Sequence, residues 1–189
     1  MTSSCSTPSL IVALPQLQDP NFLKSVVLMV ESNEKGSMGY IINRPASYSV
    51  RDVLPDGEPD IPPNIPAWFG GPVGMDRGVV IHNRPDEQAS NKLGLIRVSS
   101  SPIAMESLVE CHQEAEKQAA IYSSRFVVGY AGWGPRQLER EMKAGAWIQV
   151  DAGFDLIFNT PWQDMWDQAM KRIGVNPMNI APTVQPFLN

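Results

Sequence analysis

The 189-residue chain is poor in cysteine, in histidine and in basic charge, and each shortage removes a class of function. Its two cysteines, Cys5 and Cys111, are too few for a disulfide framework and fit a reducing compartment, so a cytoplasmic protein is expected. Its two histidines, His82 and His112, rule out a histidine-rich metal site by count, and neither a metal nor a cofactor is expected. Fifteen Lys and Arg against twenty Asp and Glu leave a formal net charge of -5. A sequence-independent nucleic-acid binder needs a basic footprint to neutralise phosphates, so direct nucleic-acid binding is disfavoured. Walker A, G-x-S-x-G, H-E-x-x-H and C-x-x-C patterns are all missing. No apolar run approaches the length of a membrane span, and the one at residues 10–14 is too short even for a signal-peptide core.

What remains is an ordinary globular composition, 43% hydrophobic and 19% charged, in a length that suits one domain. Residues 1–8 are Ser/Thr-rich and read as a loose tail. "SLIVAL" and "SVVLMVES" are apolar runs of the kind buried on both faces of a sheet, and "NEKG" turns the second into "SMGYIINR", an early antiparallel hairpin. "SVRDVL" suggests a helical turn. Residues 55–66 contain five prolines and read as a surface loop. "AWFGGPV", "RGVVIHN", "LGLIRVS", "RFVVGYAGW", "AWIQVDA" and "FDLIFN" read as strands, with Asp76 and Arg77 marking a polar turn.

Three helices interrupt them. Ser101 and Pro102 form a cap-and-first-turn pair before a stripe of Ala104, Leu108, Cys111 and Ala115. Pro135 opens a short helix ending near Gly145. Thr160, Pro161 and Gln163 read as a capping box for a last helix with Trp162, Met165, Trp166, Ala169, Met170 and Ile173 on its apolar side. The expected fold is a single α/β, or α+β-like, domain with a mixed sheet, roughly seven to nine strands and three or four helices. The segments between residues 93 and 150 allow parallel pairing through strand-helix-strand units.

Three constellations are candidate binding elements. "GYAGWGPRQLERE", residues 129–141, runs strand, glycine turn, helix; Gly132, Trp133, Gly134 and Arg136 stand where a helix start offers free N–H groups to an anion. Its G-x-x-G-x-G spacing is not the dinucleotide fingerprint, and a sharp structural corner needs the same glycines. "INRP" puts Asn43 and Arg44 at the end of a buried strand, where binding residues often lie. "FGGPVGMDRGVVIHN" supplies Gly70 and Gly71 for close backbone approach and His82 at a strand end. His82 is a formal general-base candidate, with no nucleophile or carboxylate assigned to it by sequence position, so a structural role is the expectation. Cys111 falls on an apolar stripe and reads as a small buried hydrophobe.

Taken in order, "ALPQLQDPNFLKSVVLMVESNEKGSMGYIINRP", "FGGPVGMDRGVVIHN" and "GYAGWGPRQLEREMKAGAWIQV" resemble the YqgE/AlgH family of bacterial proteins over residues 10–174. The resemblance implies a compact α/β domain with a mixed sheet and a link, through the family's name, to transcriptional regulation of alginate production. It supplies no reaction. Glu31-Ser32 stands where the family pattern has Glu-His, Ser37 where it has Ala, and the ending from Asn176 departs from many members. Two functions follow as expectations. One is a non-enzymatic regulatory or interaction protein with a protein partner. The other is a small-ligand or anion-binding protein or enzyme whose pocket is formed by the NRP, GGPV and GYAGWG segments.

Overall fold

Strict two-residue alternation between two buried faces organises the first half of the protein. The computed structural model describes residues 9–54, 61–117, 121–151 and 153–175. On β1 (Ser9–Ala13), Leu10 and Val12 face one apolar cluster and Ile11 and Ala13 another. On β2 (Val26–Asn33), Val26 and Leu28 join the first cluster and Val27 and Met29 the second. Successive side chains of a strand point to opposite faces, so a strand apolar at every position must be covered on both. β2 turns at Glu34 and Lys35 into β3 (Gly36–Ile41), the expected antiparallel hairpin.

β4 (Pro45–Ser49), a 3-10 turn at Val50–Asp52, β5 (Pro66–Phe69) and β6 (Val73–His82) follow. β7 (Asn91–Leu93) and β8 (Ile96–Ser99) form a small hairpin turned at Gly94, whose φ is +60°. Then come α1 (Pro102–Glu116), β9 (Ser124–Trp133), α2 (Gln137–Lys143), β10 (Trp147–Asp151) and α3 (Trp162–Arg172). Among the described residues ten strands make one sheet in the order β10-β1-β2-β3-β9-β6-β8-β7, with β5 branching off β9 and β4 pairing with β5. All pairings are antiparallel except β5 with β9, so the sheet is mixed and the fold α+β.

β9 is the spine. One of its edges pairs with β6. The other pairs with β5 over Phe126 to Val128 and then with β3 over Ala131 to Trp133. Gly70 sits at the exchange: its N–H donates to the Val128 carbonyl at 2.7 Å and its carbonyl accepts from the Ile41 N–H at 2.8 Å. A Cβ on Gly71, at φ +148°, would stand 2.2 Å from the Tyr130 carbonyl carbon. The two glycines therefore bring three strands closer together than any side chain permits.

The two halves of the sheet enclose a central cluster that α3 closes with Met165, Ala169 and Met170, all fully buried, and Trp166. Burial of each large side chain contributes about 1.5–3 kcal/mol. The Trp166 indole donates to the Ala13 carbonyl at 2.7 Å, so its polar atom is satisfied as well. α2 covers the second cluster through Leu138, and α1 covers a third through Ala104 and Leu108.

Several local expectations need correction. "FDLIFN" is not a strand but a π-turn over Asp155–Asn159; Leu156 and Ile157 are both buried, and a short apolar run does not distinguish the two. "LGLIRVS" is the β7–β8 hairpin rather than one strand. Asp76 and Arg77 lie inside β6, in a bulge where its pairing with β9 shifts register between Val73 and Gly78. Thr160 does not cap α3: its hydroxyl donates to the Asp155 carbonyl, and Pro161, extended at ψ 137°, is the flanking residue. Ala115 is exposed, ending the buried α1 stripe at Cys111, and Trp162 is exposed at the first turn of α3, where the buried stripe begins at Met165. Pro66 begins β5 rather than ending a loop, as suits proline at a strand's first residue. β8, α1 and β9 do not pair in parallel, because β6 lies between the strands. The N-terminal tail, loop residues 55–60 and the C-terminal ending from Asn176 lie outside the described residues.

Candidate functional site

A wide concavity lies along α1, and of the three sequence constellations only FGGPVGMDRGVVIHN reaches it, through Met75, Asp76, Arg77 and Gly78. It is a groove of about 820 Å³. Met105 and Val109 form one wall of it, and Phe126 and Val128 of β9 line it further in. Across from the helix stands the β6 bulge, which carries Met75, Asp76 and Arg77 out of the ladder as a lip. Gly78 lets β6 return beneath it: a Cβ there would meet the Phe126 ring at 2.2 Å. Val53 and Leu54, just after the 3-10 turn, close one side.

The groove's apolar interior has a charged margin. Asp76 and Arg77 are about four-fifths exposed and 4.0 Å apart, an ion pair of little energetic weight. Glu110 is held by Arg84 at 2.7 Å, whereas Glu106 stands exposed on the helix. Met75 and Val53 are large apolar side chains left more than a third exposed. Periodicity singles out the buried α1 row and misses this wall. The available signal was a second apolar row, Met105 and Val109 at i,i+4, one position from Ala104 and Leu108.

The sequence-selected residues do not gather in one cavity. Asn43 and Arg44 line a small depression beside Trp162 and Trp166 of α3, but they are used by the chain itself. Asn43 accepts from the Val26 N–H and donates to the Lys24 carbonyl. Arg44 donates to the carbonyls of Pro20, Asn21 and Leu23 at 2.7–3.0 Å, and burial lowers its pKa. Together they bind the loop before β2. Gly132 and Trp133 line a second depression at the β2–β3 hairpin, and Arg136 lines a third with Arg140 and Lys143. Gly70 and Gly71 form the strand exchange.

The glycine corner has its own internal partners. The Gly134 N–H donates to Gln137 Oε1 at 3.0 Å, and Gln137 Nε2 donates to Glu141 Oε1 at 2.8 Å. Glu141 Oε2 accepts from both indoles, Trp133 at 3.0 Å and Trp147 at 2.8 Å. One carboxylate thus ties the end of β9, α2 and the start of β10 together. Arg136 adopts the left-handed conformation, φ +56°, with its side chain exposed.

His82 does have a carboxylate neighbour. Asp86, four residues on, places Oδ2 3.8 Å from His82 Nε2. Asp86 Oδ2 accepts from the Ser101 hydroxyl at 2.5 Å, and Oδ1 from the Gln88 N–H at 2.8 Å. Ser101 Oγ in turn accepts from the Ala104 N–H as the cap of α1. All three side chains are buried. The carboxylate lies between hydroxyl and imidazole, the wrong order for a histidine to take the serine proton. Burial lowers the His82 pKa below 6.5, outweighing the attraction of Asp86. Burial alone would raise the Asp86 pKa, but hydrogen bonds from Ser101, Ser99 and Gln88 bring it below 3.8. The pair is neutral imidazole beside carboxylate, sealed from solvent. Cys111 donates to the Tyr122 carbonyl, and burial raises its pKa, so its thiol is not activated.

Among the described residues no group of three or more His, Cys, Asp and Glu could hold a metal ion, and no helix is long and apolar enough to cross a membrane. Comparison with known proteins gives a consistent picture. A family model described as AlgH-like matches residues 10–178. The UPF0301 protein of Photobacterium profundum is 36% identical over 188 residues, covering 93% of this chain and 95% of the relative. The UPF0301 protein of Myxococcus xanthus is 35% identical over 173 residues, covering 90% and 92%. The solution structure of the AlgH protein from Pseudomonas aeruginosa superposes with a TM-score of 0.70 at 32% identity, covering 100% of this chain and 98% of that one. A crystal structure of protein DIP2367 from Corynebacterium diphtheriae shares the fold, with a TM-score of 0.65 at 22% identity, covering 96% and 92%.

Proposed function

The chain belongs to the AlgH-like family, and from that premise we propose that it is a non-enzymatic regulatory protein that acts by docking another protein in the groove along α1. The observation that carries this reading is the groove itself: about 820 Å³, with an apolar interior and a charged margin. Met105 and Val109 stand half-buried on its helical wall above the buried Phe126 and Val128, and a helix opposed by a strand lip suits a second helix. The occupant is an amphipathic helical segment of a partner protein. Its apolar row would lie against Met105 and Val109. Its flanks would be basic, because the margin carries Asp76, Glu106 and Glu110 against Arg77, on a chain of net charge -5.

DNA is the weaker partner. α2 is seven residues long and leads into β10, not into a recognition helix, and the charge has the wrong sign. Enzymatic chemistry finds little support either, since the His82, Asp86 and Ser101 side chains are buried in an order that activates no nucleophile.

A peptide-display selection against the intact chain tests the reading. Enriched sequences are expected to carry apolar residues at i and i+4 with Lys or Arg beside them, and to be blocked by Val109→Glu. Enrichment of acidic sequences, or of sequences that bind Val109→Glu equally well, would overturn it.

A further inference from the structure

Arg125 carries a charge that the fold leaves unbalanced. Its Nη1 donates to the Ile42 carbonyl at 2.6 Å, and its guanidinium lies 4.7 Å from the centroid of the Trp68 ring. Among the described residues it takes part in no ion pair, unlike Arg77, Arg84, Lys92 and Arg172. Burial pulls its pKa down to about 10, and no carboxylate opposes that shift. Arg125 is half-buried, and an arginine drawn partly out of water ordinarily sits against a carboxylate or phosphate, because its rigid fork of donors suits two oxygens at once.

Beside Arg125 opens a cavity of about 280 Å³. Trp68, Leu108 and Phe158 supply apolar walls, and Ser124 a hydroxyl that meets the Cys111 thiol and, at a long 3.5 Å, the Ser107 carbonyl. We propose that this cavity is a binding site for a small organic carboxylate with an apolar body, its carboxylate on Arg125 and its hydrocarbon against Trp68, Leu108 and Phe158. The charge sets the class. Among the described lining residues Arg125 is the one permanently charged cation, beside the His112 imidazole, and it matches one negative charge, whereas a phosphate dianion would bring a second charge among largely apolar walls. The size sets the scale, since the volume lies at the lower end for small-molecule sites. The site flanks α1 through Leu108, Cys111 and Ala115, while the docking groove uses Met105, Glu106 and Val109. Either can fail without the other.

Phenylacetate is the probe, with phenylacetamide and inorganic phosphate as controls, read by amide NMR of the full chain. Phenylacetate is expected to shift the amides of Tyr122, Ser123, Ser124 and Arg125 saturably, with a dissociation constant near ~1 mM or below. Phenylacetamide and phosphate should bind at least about tenfold more weakly. Arg125→Met should lose the shifts. Should that variant not fold, Ala115→Trp decides: Ala115 is exposed on the cavity side of α1, and an indole there fills the cavity while leaving Arg125 intact. The proposal is overturned if phenylacetate produces no saturable shifts at these amides, if phenylacetamide or phosphate binds as well, or if the folded variants keep full affinity.

Discussion

Replacing Glu141 by alanine tests whether the glycine corner is a structural clasp. Its carboxylate accepts three hydrogen bonds, two of them from indoles at 3.0 and 2.8 Å. Trp133 and Trp147 are only 6% and 2% exposed, so neither N–H can turn to water once the carboxylate is gone. An orphaned buried donor costs about 1–3 kcal/mol, and because Glu141 is itself half-buried the lower part of that range applies. The sum is a loss of about 2–4 kcal/mol. For a chain of this length each kcal/mol shifts Tm by about 2–4 °C, so Glu141→Ala should melt roughly 5–15 °C lower. Both indoles meet Oε2, so Glu141→Gln can keep both of them on its one oxygen and should lose less than the alanine variant. The assay is urea unfolding followed by far-UV circular dichroism, with Tm as a second readout. A loss below about 0.5 kcal/mol would refute the reasoning, placing the alanine variant with ordinary surface substitutions.

Two further perturbations follow from the same geometry. Gly71→Ala should be severely destabilising, by about 3 kcal/mol or more, because its Cβ would overlap the Tyr130 backbone at 2.2 Å. Gly134→Ala should fall within about 0.5 kcal/mol of wild type, since its Cβ meets only Gln137 Oε1 at 3.7 Å; equal unfolding midpoints for the two would contradict this ranking. For pH, the folded His82 pKa lies below its ordinary 6.5, so the unfolded chain binds the proton more readily. The His82 contribution is therefore complete above 6.5 and lost as pH falls from there through the folded value. Wild type should lose stability between about pH 7.5 and pH 5.5, and His82→Phe should show a shallower slope; identical slopes would remove His82 as the cause.

The strand signals were readable where burial follows a local rule. β1 and β2 are apolar at successive positions because both faces are covered, and Ser101 with Pro102 marks the start of α1 through a bond of three residues' span. The π-turn at Asp155–Asn159 was not readable, because two adjacent buried residues satisfy a buried strand as well as a helical turn. Nor was the purpose of the glycines. Gly70, Gly71 and Gly129 are explained by β9 exchanging β5 for β3, a contact between segments far apart in the chain.

Site residues divided the same way. Asn43 and Arg44 were conspicuous because polar groups leave a buried strand there, and they turned out to hold backbone carbonyls and an N–H. One wall of the groove was legible as the Met105 and Val109 row, but the groove itself depends on where the β6 bulge lands relative to α1, which no spacing encodes. Arg125 escaped notice for a related reason: a lone arginine in an apolar strand stands out only once its lack of a carboxylate is seen.

The central claim, docking of a basic amphipathic helix along α1, rests most directly on one measurement. It is the affinity of a display-selected peptide for wild type, Val109→Glu and Glu106→Lys, each at low and high salt. The account predicts that Val109→Glu weakens binding by about 30-fold or more, as expected for a charge forced into an apolar contact. It predicts that Glu106→Lys weakens binding by about tenfold at low salt and by less at high salt, because exposed charges are screened. Equal affinities across the three proteins, or tighter binding to Glu106→Lys, would contradict it.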